Sequence, residues 1–238
     1  MNIPKIEDSS SKPLAALLIS NAFNPITTQI LEKFKKAKEH LENEYEIVNG
    51  FISLYSKKHV DNKYYEDAIP LHHRLEMIKI AINRLSWIKL DEYESSSEKN
   101  IYKSHEIIHN LSNLLNKEAK KPIKVFYFCE SNQIIDEEIK PTHLENYGLI
   151  IIEGYHKEKD KDLDWEEKCK EKIGKLYEKD VWKKFKKEII CVNYNESTIS
   201  SENIRKMIIN NDENWKNYYT GEIITYIEHN KPNFFKTI

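Results

Sequence analysis

The stretch Leu14-Ala15-Ala16-Leu17-Leu18-Ile19-Ser20 is a short and nearly unbroken apolar run. Such a run is typical of a strand that is buried on both faces in a parallel sheet. A turn follows at Asn24-Pro25, and a helical pattern then runs from about Thr28 to Glu44. The apolar face of that helix carries Ile30, Leu31, Phe34, Ala37 and Leu41.

The same alternation of strands and helices continues along the chain. Further strands are predicted at Tyr45–Leu54, Trp87–Leu90, Ile123–Cys129, Leu149–Glu153 and Glu188–Val192. Further helices are predicted after Pro70 with Leu71, Leu75, Ile78, Ile82 and Leu85 on one face, and at Ser104–Glu118, Ser201–Ile209 and Glu222–Asn230. Tyr55–Ala68 is predicted as a polar loop, and Lys157–Lys187 as two charged helical pieces around Trp165 and Trp182.

This pattern predicts an α/β fold with a Rossmann-like, doubly wound parallel sheet and right-handed crossovers. Because no internal repeat or long linker divides the chain, we expect one domain over residues 14–238, preceded by a polar tail over residues 1–13.

The composition of the 238 residues is that of a soluble globular protein with a heavily charged surface, since 39% are hydrophobic and 32% are charged. A net charge of −2 gives no general electrostatic attraction to nucleic acid or anionic membrane. Cys129, Cys169 and Cys191 form no CxxC pair, which favours a reducing compartment, and no apolar run approaches a membrane span. We therefore expect a cytoplasmic or nuclear protein that does not bind membranes.

In a doubly wound sheet, ligands bind where the carboxyl ends of the strands meet the following helices. The turn after the first strand reads Ser20-Asn21-Ala22-Phe23-Asn24-Pro25-Ile26-Thr27. It resembles the opening motif of eukaryotic nicotinamide/nicotinate mononucleotide adenylyltransferases, which is Gly-Ser-Phe-Asn-Pro-Ile-Thr, two variable residues and His-Leu. Further blocks resemble the same family in the same order, at Gly50–Ser53, Ile69–Arg74, Trp87–Ser95, Asn146–Ile150 and Ile199–Arg205. The resemblance implies a nucleotidyltransferase type of fold.

The resemblance also implies a reaction, because this family joins ATP to nicotinamide mononucleotide with Mg²⁺ and produces NAD and pyrophosphate. The retained positions imply a vestigial nucleotide site formed by Phe23, Asn24, Thr27, Arg74, Tyr93, Glu94, Ser200, Ser201 and Arg205. In it, Tyr93 would stack on a ring, Ser200 and Ser201 would cap a helix, and Arg205 would contact phosphate. ATP and Mg²⁺ are expected only where the ancestral site survives, and no metal-ligating residues are predicted.

The chain departs from the family at the groups that handle phosphate. Asn21 stands in place of the motif glycine and Ile30 in place of the motif histidine, so no catalytic residue is predicted. The family's Gly-Ala-Asp after the fourth strand reads Glu130-Ser131-Asn132, and the Trp that stacks on nicotinamide is absent. The loss of one transition-state donor costs about 10²–10³ in rate.

Two functional hypotheses follow from these departures. The first is a degenerate, inactive homologue that serves as a binding or regulatory protein for an unidentified protein or ribonucleoprotein, with retained nucleotide binding. The second is an active NAD-forming enzyme that uses Lys57, Lys58 or Lys63 for the phosphates.

The retained residues also have purely structural interpretations. Asn24-Pro25 is a common turn pair, Phe23 can pack in the core, Ser200-Ser201 can be kept for capping, and Arg74 can form a surface salt bridge.

A rival motif is His105-Glu106-Ile107-Ile108-His109, which fits the His-Glu-x-x-His pattern of zinc metalloproteases. No metzincin-type extension follows it. The apolar stripe of Ile107, Ile108, Leu111, Leu114 and Leu115 instead explains the segment as an ordinary amphipathic helix.

Overall fold

The computed structural model describes residues 11–64, 68–97, 100–129, 141–154, 188–194 and 199–231, with short pieces at 171, 174–175, 183–184 and 234–235. Its strands are β1 (Leu14–Asn21), β2 (Glu46–Leu54), β3 (Ile88–Asp91), β4 (Ile123–Cys129), β5 (Tyr147–Gly154) and β6 (Ile189–Tyr194). Its α-helices are α1 (Thr28–Leu41), α2 (Lys57–Tyr64), α3 (Leu71–Ile82), α4 (Ser104–Asn116), α5 (Ser201–Ile209) and α6 (Gly221–Asn230). Two 3₁₀ segments lie at Pro141–Glu145 and Glu213–Tyr218.

The strands form a six-stranded parallel sheet in the order β3-β2-β1-β4-β5-β6. Leu17 of β1 pairs with Phe126 of β4, and Leu149 of β5 pairs with Ile189 of β6. Because β1 is an inner strand, its residues up to Ser20 are all buried, which explains the unbroken apolar run. The strand order changes direction after β1, and ligands bind at such points in doubly wound sheets. The predicted fold class is confirmed.

Residue contacts group the chain into two compact units, and the first comprises the described residues of 1–19, 33–50 and 103–196. Aromatic rings pack edge to face in its core, with centroids 5.0 Å apart for Phe34–Phe128 and for Tyr45–Phe126. Gly148 lies so close to Phe126 that a Cβ atom would overlap the ring.

The second unit comprises the described residues of 20–32, 51–102 and 197–238. One of its apolar clusters joins Ala22, from the turn after β1, to Tyr55, Val60 and Ala68. The described residues of the predicted nucleotide site all belong to this unit. The prediction of one domain over residues 14–238 stays a prediction.

Most predicted elements are confirmed to within a few residues, and β4 and α5 have the predicted bounds. The prediction of a polar loop at Tyr55–Ala68 is wrong, because α2 forms within it. The hydroxyl of Ser56 accepts a hydrogen bond from the N–H of His59, and Lys57 pairs with Asp61 one turn further on. The predicted pieces around Trp165 and Trp182 lie outside the described residues. Among the helices that are described, none is both long and apolar enough to cross a membrane.

Candidate functional site

The side chain of Asn21 closes the turn that follows β1. Its Oδ1 accepts a hydrogen bond from the backbone N–H of Ala22 at 2.7 Å, and its backbone carbonyl accepts one from Tyr55 N–H at 3.1 Å. An N–H group at the start of a strand-to-helix turn is the kind of donor that binds phosphate. In this chain the N–H of Ala22 is already paired inside the turn.

Phe23 and Asn24 set the shape of the turn. Phe23 has φ 43° and is 4% exposed. Such a backbone conformation costs on the order of 1–3 kcal/mol of free energy. Burial of the ring stabilises the fold by a similar amount. The Oδ1 of Asn24 accepts the N–H of Ile69 at 2.8 Å. The structure thus supports the packing interpretation of Phe23, and a nucleotide contact by either residue stays a prediction.

Arg74 is a buried residue that braces the turn from α3. It is 1% exposed, its Nε donates to the Ile69 carbonyl, and its Nη1 donates to the carbonyls of Ala22 and Tyr55, each at 3.0 Å. Burial lowers the pKa of Arg74 to about 10, although the charges of nearby acidic groups, Asp61 among them, oppose this shift. The alternative of a surface salt bridge for Arg74 is therefore wrong, because its guanidinium is held by backbone carbonyls inside the unit.

Arg205, in the first turns of α5, braces the turn from the other side. Its Nη1 donates to the Asn24 carbonyl at 2.7 Å, and its guanidinium lies over the Tyr64 ring, 5.1 Å from the centroid. The Ser200 hydroxyl accepts the N–H of Asn203, which confirms the predicted cap of this helix. Ser201 has a different role, since its hydroxyl donates to the Pro25 carbonyl at 3.3 Å.

Thr27 and Ile30 form the start of α1. Thr27 is buried, and its carbonyl accepts the N–H of Ile30 at 3.2 Å. Ile30 is half-buried in the first turn, where the resembling motif places an imidazole. A hydrocarbon side chain at this position donates no hydrogen bond to an anion.

Glu94 and His59 form a buried carboxylate–imidazole pair. Glu94 is fully buried, and its Oε1 accepts hydrogen bonds from the N–H of Ser56 at 3.2 Å and from Nδ1 of His59 at 2.9 Å. When the carboxylate of Glu94 is ionised it can only accept, and Nδ1 of His59 then carries the proton. The predicted site residue Glu94 therefore orients a histidine that the sequence analysis did not single out.

Tyr93 packs against another tyrosine of its own unit. The centroids of the Tyr93 and Tyr102 rings lie 4.8 Å apart with an interplanar angle of 36°. The Tyr102 hydroxyl accepts a hydrogen bond from the side-chain amide of Asn100 at 3.1 Å. Tyr93 thus already has one aromatic neighbour, and its stacking on a ligand ring stays a prediction.

Among the described residues, the carboxylates of Asp91 and Glu94 do not form a protein-held Mg²⁺ site. Asp91 accepts the Ser53 hydroxyl on Oδ2 and Tyr93 N–H on Oδ1, and Glu94 accepts Ser56 and His59. In the described part of the chain, no three His, Cys, Asp or Glu residues are grouped closely enough to hold a metal ion. Mg²⁺ usually keeps several waters and binds through substrate phosphates with one or two carboxylates. These donors do not fit a resident ion.

His59, Ser56 and Tyr102 are the residues that sequence reasoning missed. The sequence did contain one signal for the start of α2, because Ser56 is a preferred N-cap residue and caps the N–H of His59 three residues later. The pairing of Glu94 with His59 had no local signal, since the two lie 35 residues apart in the chain.

The rival His-Glu-x-x-His segment belongs to the other unit and forms part of α4. Glu106 accepts the backbone N–H of Lys103 at 2.8 Å and so helps to cap this helix. The His105 ring stacks on His143 with centroids 4.8 Å apart, and Nε2 of His109 contacts the Asn113 amide at 2.9 Å. The amphipathic stripe is confirmed except at Leu114, because Ile107, Ile108, Leu111 and Leu115 are buried and Leu114 is 39% exposed. The segment Glu130-Ser131-Asn132 lies outside the described residues.

Comparison with known proteins adds to this geometry. Residues 21–207 match the model of the cytidylyltransferase-like family. A 94-residue stretch is 31% identical to nicotinamide/nicotinic acid mononucleotide adenylyltransferase 1 of Bos taurus, and it covers 37% of this chain and 31% of that protein. A similar stretch of 88 residues is 31% identical to adenylyltransferase 2 of the same description from Danio rerio, covering 36% and 27% of the two chains. The matches thus span about a third of these relatives' lengths or less.

A solved structure shows the same fold over nearly the whole chain. It is that of Plasmodium falciparum nicotinic acid mononucleotide adenylyltransferase complexed with NaAD, and its TM-score is 0.56 at 19% identity. The alignment covers 93% of this chain and 98% of that one. These comparisons confirm the resemblance that the sequence motifs predicted.

Proposed function

The chain belongs to the cytidylyltransferase-like family, and we propose that it is a degenerate relative of the nicotinamide mononucleotide adenylyltransferases. In this proposal it binds a nucleotide at the turn after β1 but forms NAD slowly or not at all. It then serves as a binding or regulatory protein for a protein or ribonucleoprotein partner.

The main support for the proposal is the turn after β1, which the side chain of Asn21 closes with a hydrogen bond. Adenylyl transfer has no covalent intermediate on the enzyme that would need a nucleophile, so its rate depends on positioning and on donors aimed at phosphate oxygens. The Oδ1 of Asn21 occupies the N–H of Ala22 at 2.7 Å, and Ile30 supplies no donor from the first turn of α1. Each missing donor costs about 10²–10³ in rate, and several losses need not add.

The two motif arginines support binding more than catalysis. Nη1 of Arg74 and Nη1 of Arg205 donate to the carbonyls of Ala22 and Asn24. These hydrogen bonds hold both cations beside the turn, where their charges favour an anion nearby. Because these Nη1 groups are engaged by the turn itself, they are less able to follow charge that moves during a reaction.

An active NAD-forming enzyme is the second candidate, and the observation that favours it is helix α2. This helix places Lys57, Lys58 and Lys63 in the same unit as the turn. Lys57 pairs with Asp61 at 2.7 Å, and Lys63 lies over the Tyr64 ring. In this alternative, ATP and nicotinamide mononucleotide are the substrates and Mg²⁺ assists, as the family resemblance implies, and the names of the bovine and zebrafish relatives include nicotinamide mononucleotide.

Isothermal calorimetry separates the candidates when it is followed by an assay on the same sample. ATP and nicotinamide mononucleotide are each titrated with Mg²⁺, and NAD formation is then measured. We expect binding of at least one nucleotide and little or no NAD. Turnover at about 1 s⁻¹ or faster, within the ordinary enzyme range, would favour the active enzyme, and no binding of either ligand would remove the nucleotide site.

A further inference from the structure

The imidazole of His59 is held by Glu94, a residue of the predicted nucleotide site, and the proposed function gives His59 itself no role. Two contacts hold the imidazole of His59: Nδ1 lies 2.9 Å from Glu94 Oε1, and the ring stacks on Tyr55 with centroids 3.9 Å apart at 8°. The backbone N–H of His59 donates to the Ser56 hydroxyl, which holds the start of helix α2. These contacts fix the position of the ring.

The second ring nitrogen of His59 is the part of this arrangement that is left to act on a ligand. Nδ1 points at the fully buried Glu94, and one ring face is covered by Tyr55. The side chain is nevertheless 23% exposed. We infer that this exposure belongs to the remaining edge, which carries Nε2. When Nδ1 donates to a carboxylate, Nε2 is a hydrogen-bond acceptor in the neutral ring and a hydrogen-bond donor in the protonated ring.

His59 lies close to the turn after β1. The N–H of Tyr55, on which His59 stacks, donates to the Asn21 carbonyl, and Arg74 holds the carbonyls of both Tyr55 and Ala22. Val60, the next residue after His59, is packed in one cluster with Ala22. Helix α2 and the turn are therefore held in contact by these hydrogen bonds and by apolar packing within one unit.

The charges around His59 favour an anion as the ligand. Helix α2 carries Lys57, Lys58 and Lys63 against the single acid Asp61. Arg205 lies over the Tyr64 ring at the end of the same helix. The buried carboxylate of Glu94 faces Nδ1, on the far side of the ring from an incoming ligand.

We propose that His59 is a phosphate-contacting residue, whose Nε2 binds the phosphate of a bound mononucleotide. In this role its imidazole contributes to binding of the mononucleotide, and Glu94 is the positioning residue that holds it. The inference rests on the proposed nucleotide binding and adds the residue that recognises the phosphate group.

The test compares nicotinamide mononucleotide with nicotinamide riboside, the same molecule without its phosphate. We expect His59→Ala to weaken binding of the mononucleotide by about 10–100-fold, because a hydrogen bond to a charged group contributes about 1.5–3 kcal/mol. Riboside binding should change by less than about 2-fold. His59→Gln retains a donor for Glu94 but lacks the second ring nitrogen, so it should behave like His59→Ala. His229→Ala, an exposed histidine of α6, is the matched control and should leave both affinities unchanged.

The outcomes separate the inference from the function on which it rests. Equal losses for the mononucleotide and the riboside would mean that His59 only supports the structure, and unchanged affinities would also overturn the inference. If the unaltered protein binds neither ligand, the proposed nucleotide binding itself fails. Glu94→Gln should give a smaller, phosphate-dependent loss, since the amide oxygen can still accept from Nδ1 without the negative charge.

Discussion

The Nη1 atom of Arg205 lies 2.7 Å from the carbonyl oxygen of Asn24, and this hydrogen bond joins residues that are 181 positions apart in the chain. Arg74 makes the corresponding bond to Ala22 from α3. The two arginines that the family resemblance implies as nucleotide contacts are therefore also the braces of the turn that would hold the nucleotide. Loss of either cation should affect folding as well as ligand binding.

The stability of the turn tests this bracing role. Arg74→Met removes the donors to the carbonyls of Ile69, Ala22 and Tyr55. We expect a loss of about 3 kcal/mol or more in the free energy of unfolding, because buried carbonyls left without donors cost about 1–3 kcal/mol each. Urea unfolding followed by circular dichroism measures it.

Arg84→Met is the matched control for this substitution. The Arg84 side chain is 85% exposed and pairs with Glu222 at the surface, so the loss should stay within about 0.5 kcal/mol. Similar losses for the two variants would contradict the bracing role of Arg74.

Packing between β4 and β5 gives a second prediction. A Cβ added to Gly148 would overlap the Phe126 ring and lie 3.1 Å from the Glu188 carbonyl oxygen, whereas one added to Gly221 meets nothing within 4 Å. Gly148→Ala should therefore destabilise the protein by about 1–3 kcal/mol. Gly221→Ala, at the start of α6, should be neutral or stabilising by up to about 1 kcal/mol. Thermal unfolding of both variants measures the difference in stability. A Gly148→Ala variant as stable as the unaltered protein would contradict this prediction.

Asp91 gives a prediction for the dependence of stability on pH. Burial raises the pKa of Asp91 above its ordinary value of 3.8, and the hydrogen bond from Ser53 opposes this only in part. The folded state therefore binds a proton at a higher pH than the unfolded state, so this group's contribution becomes more favourable as the pH falls through the folded pKa. It is complete below the unfolded pKa and is lost as the pH rises through the folded value.

The corresponding measurement is urea unfolding of the unaltered protein and of Asp91→Asn between pH 4 and pH 7. The difference in unfolding free energy, unaltered protein minus variant, should grow as the pH falls, because other titrating groups cancel in the difference. A difference that shrinks towards low pH would mean that the folded state lowers the pKa of Asp91.

Much of the fold could be predicted from local patterns. The buried run of β1 and the strand Ile123–Cys129 were recognisable because inner parallel strands are apolar throughout. Helix α2 was missed because its sequence, KKHVDNKY, has only Val60 buried, and such a segment shows no apolar stripe. Its stability comes from the Ser56 cap, the Lys57–Asp61 pair and the packing of Val60, and the last of these is a tertiary contact.

The motif blocks cover Asn21, Arg74, Glu94 and Arg205, which all lie in the second unit. Their part in a nucleotide site stays a prediction, and their contacts were not predictable. The partners of two of these side chains lie far away in the chain. Glu94 binds His59, and Arg205 binds the carbonyl of Asn24. Pairings over such distances leave no periodic pattern in the sequence, which is why Arg74 could be interpreted as a surface residue.

We expect Asn21 and Ile30 to limit turnover, and a variant that restores the two motif residues tests this role. NAD formation from ATP and nicotinamide mononucleotide is measured with Mg²⁺ for the unaltered protein and for the double variant Asn21→Gly/Ile30→His. We predict little or no NAD from the unaltered protein and at least about a 100-fold higher rate from the variant, the effect of roughly one transition-state donor. An unaltered protein that already forms NAD at about 1 s⁻¹ or faster, with no gain in the variant, would mean that Asn21 and Ile30 do not limit turnover.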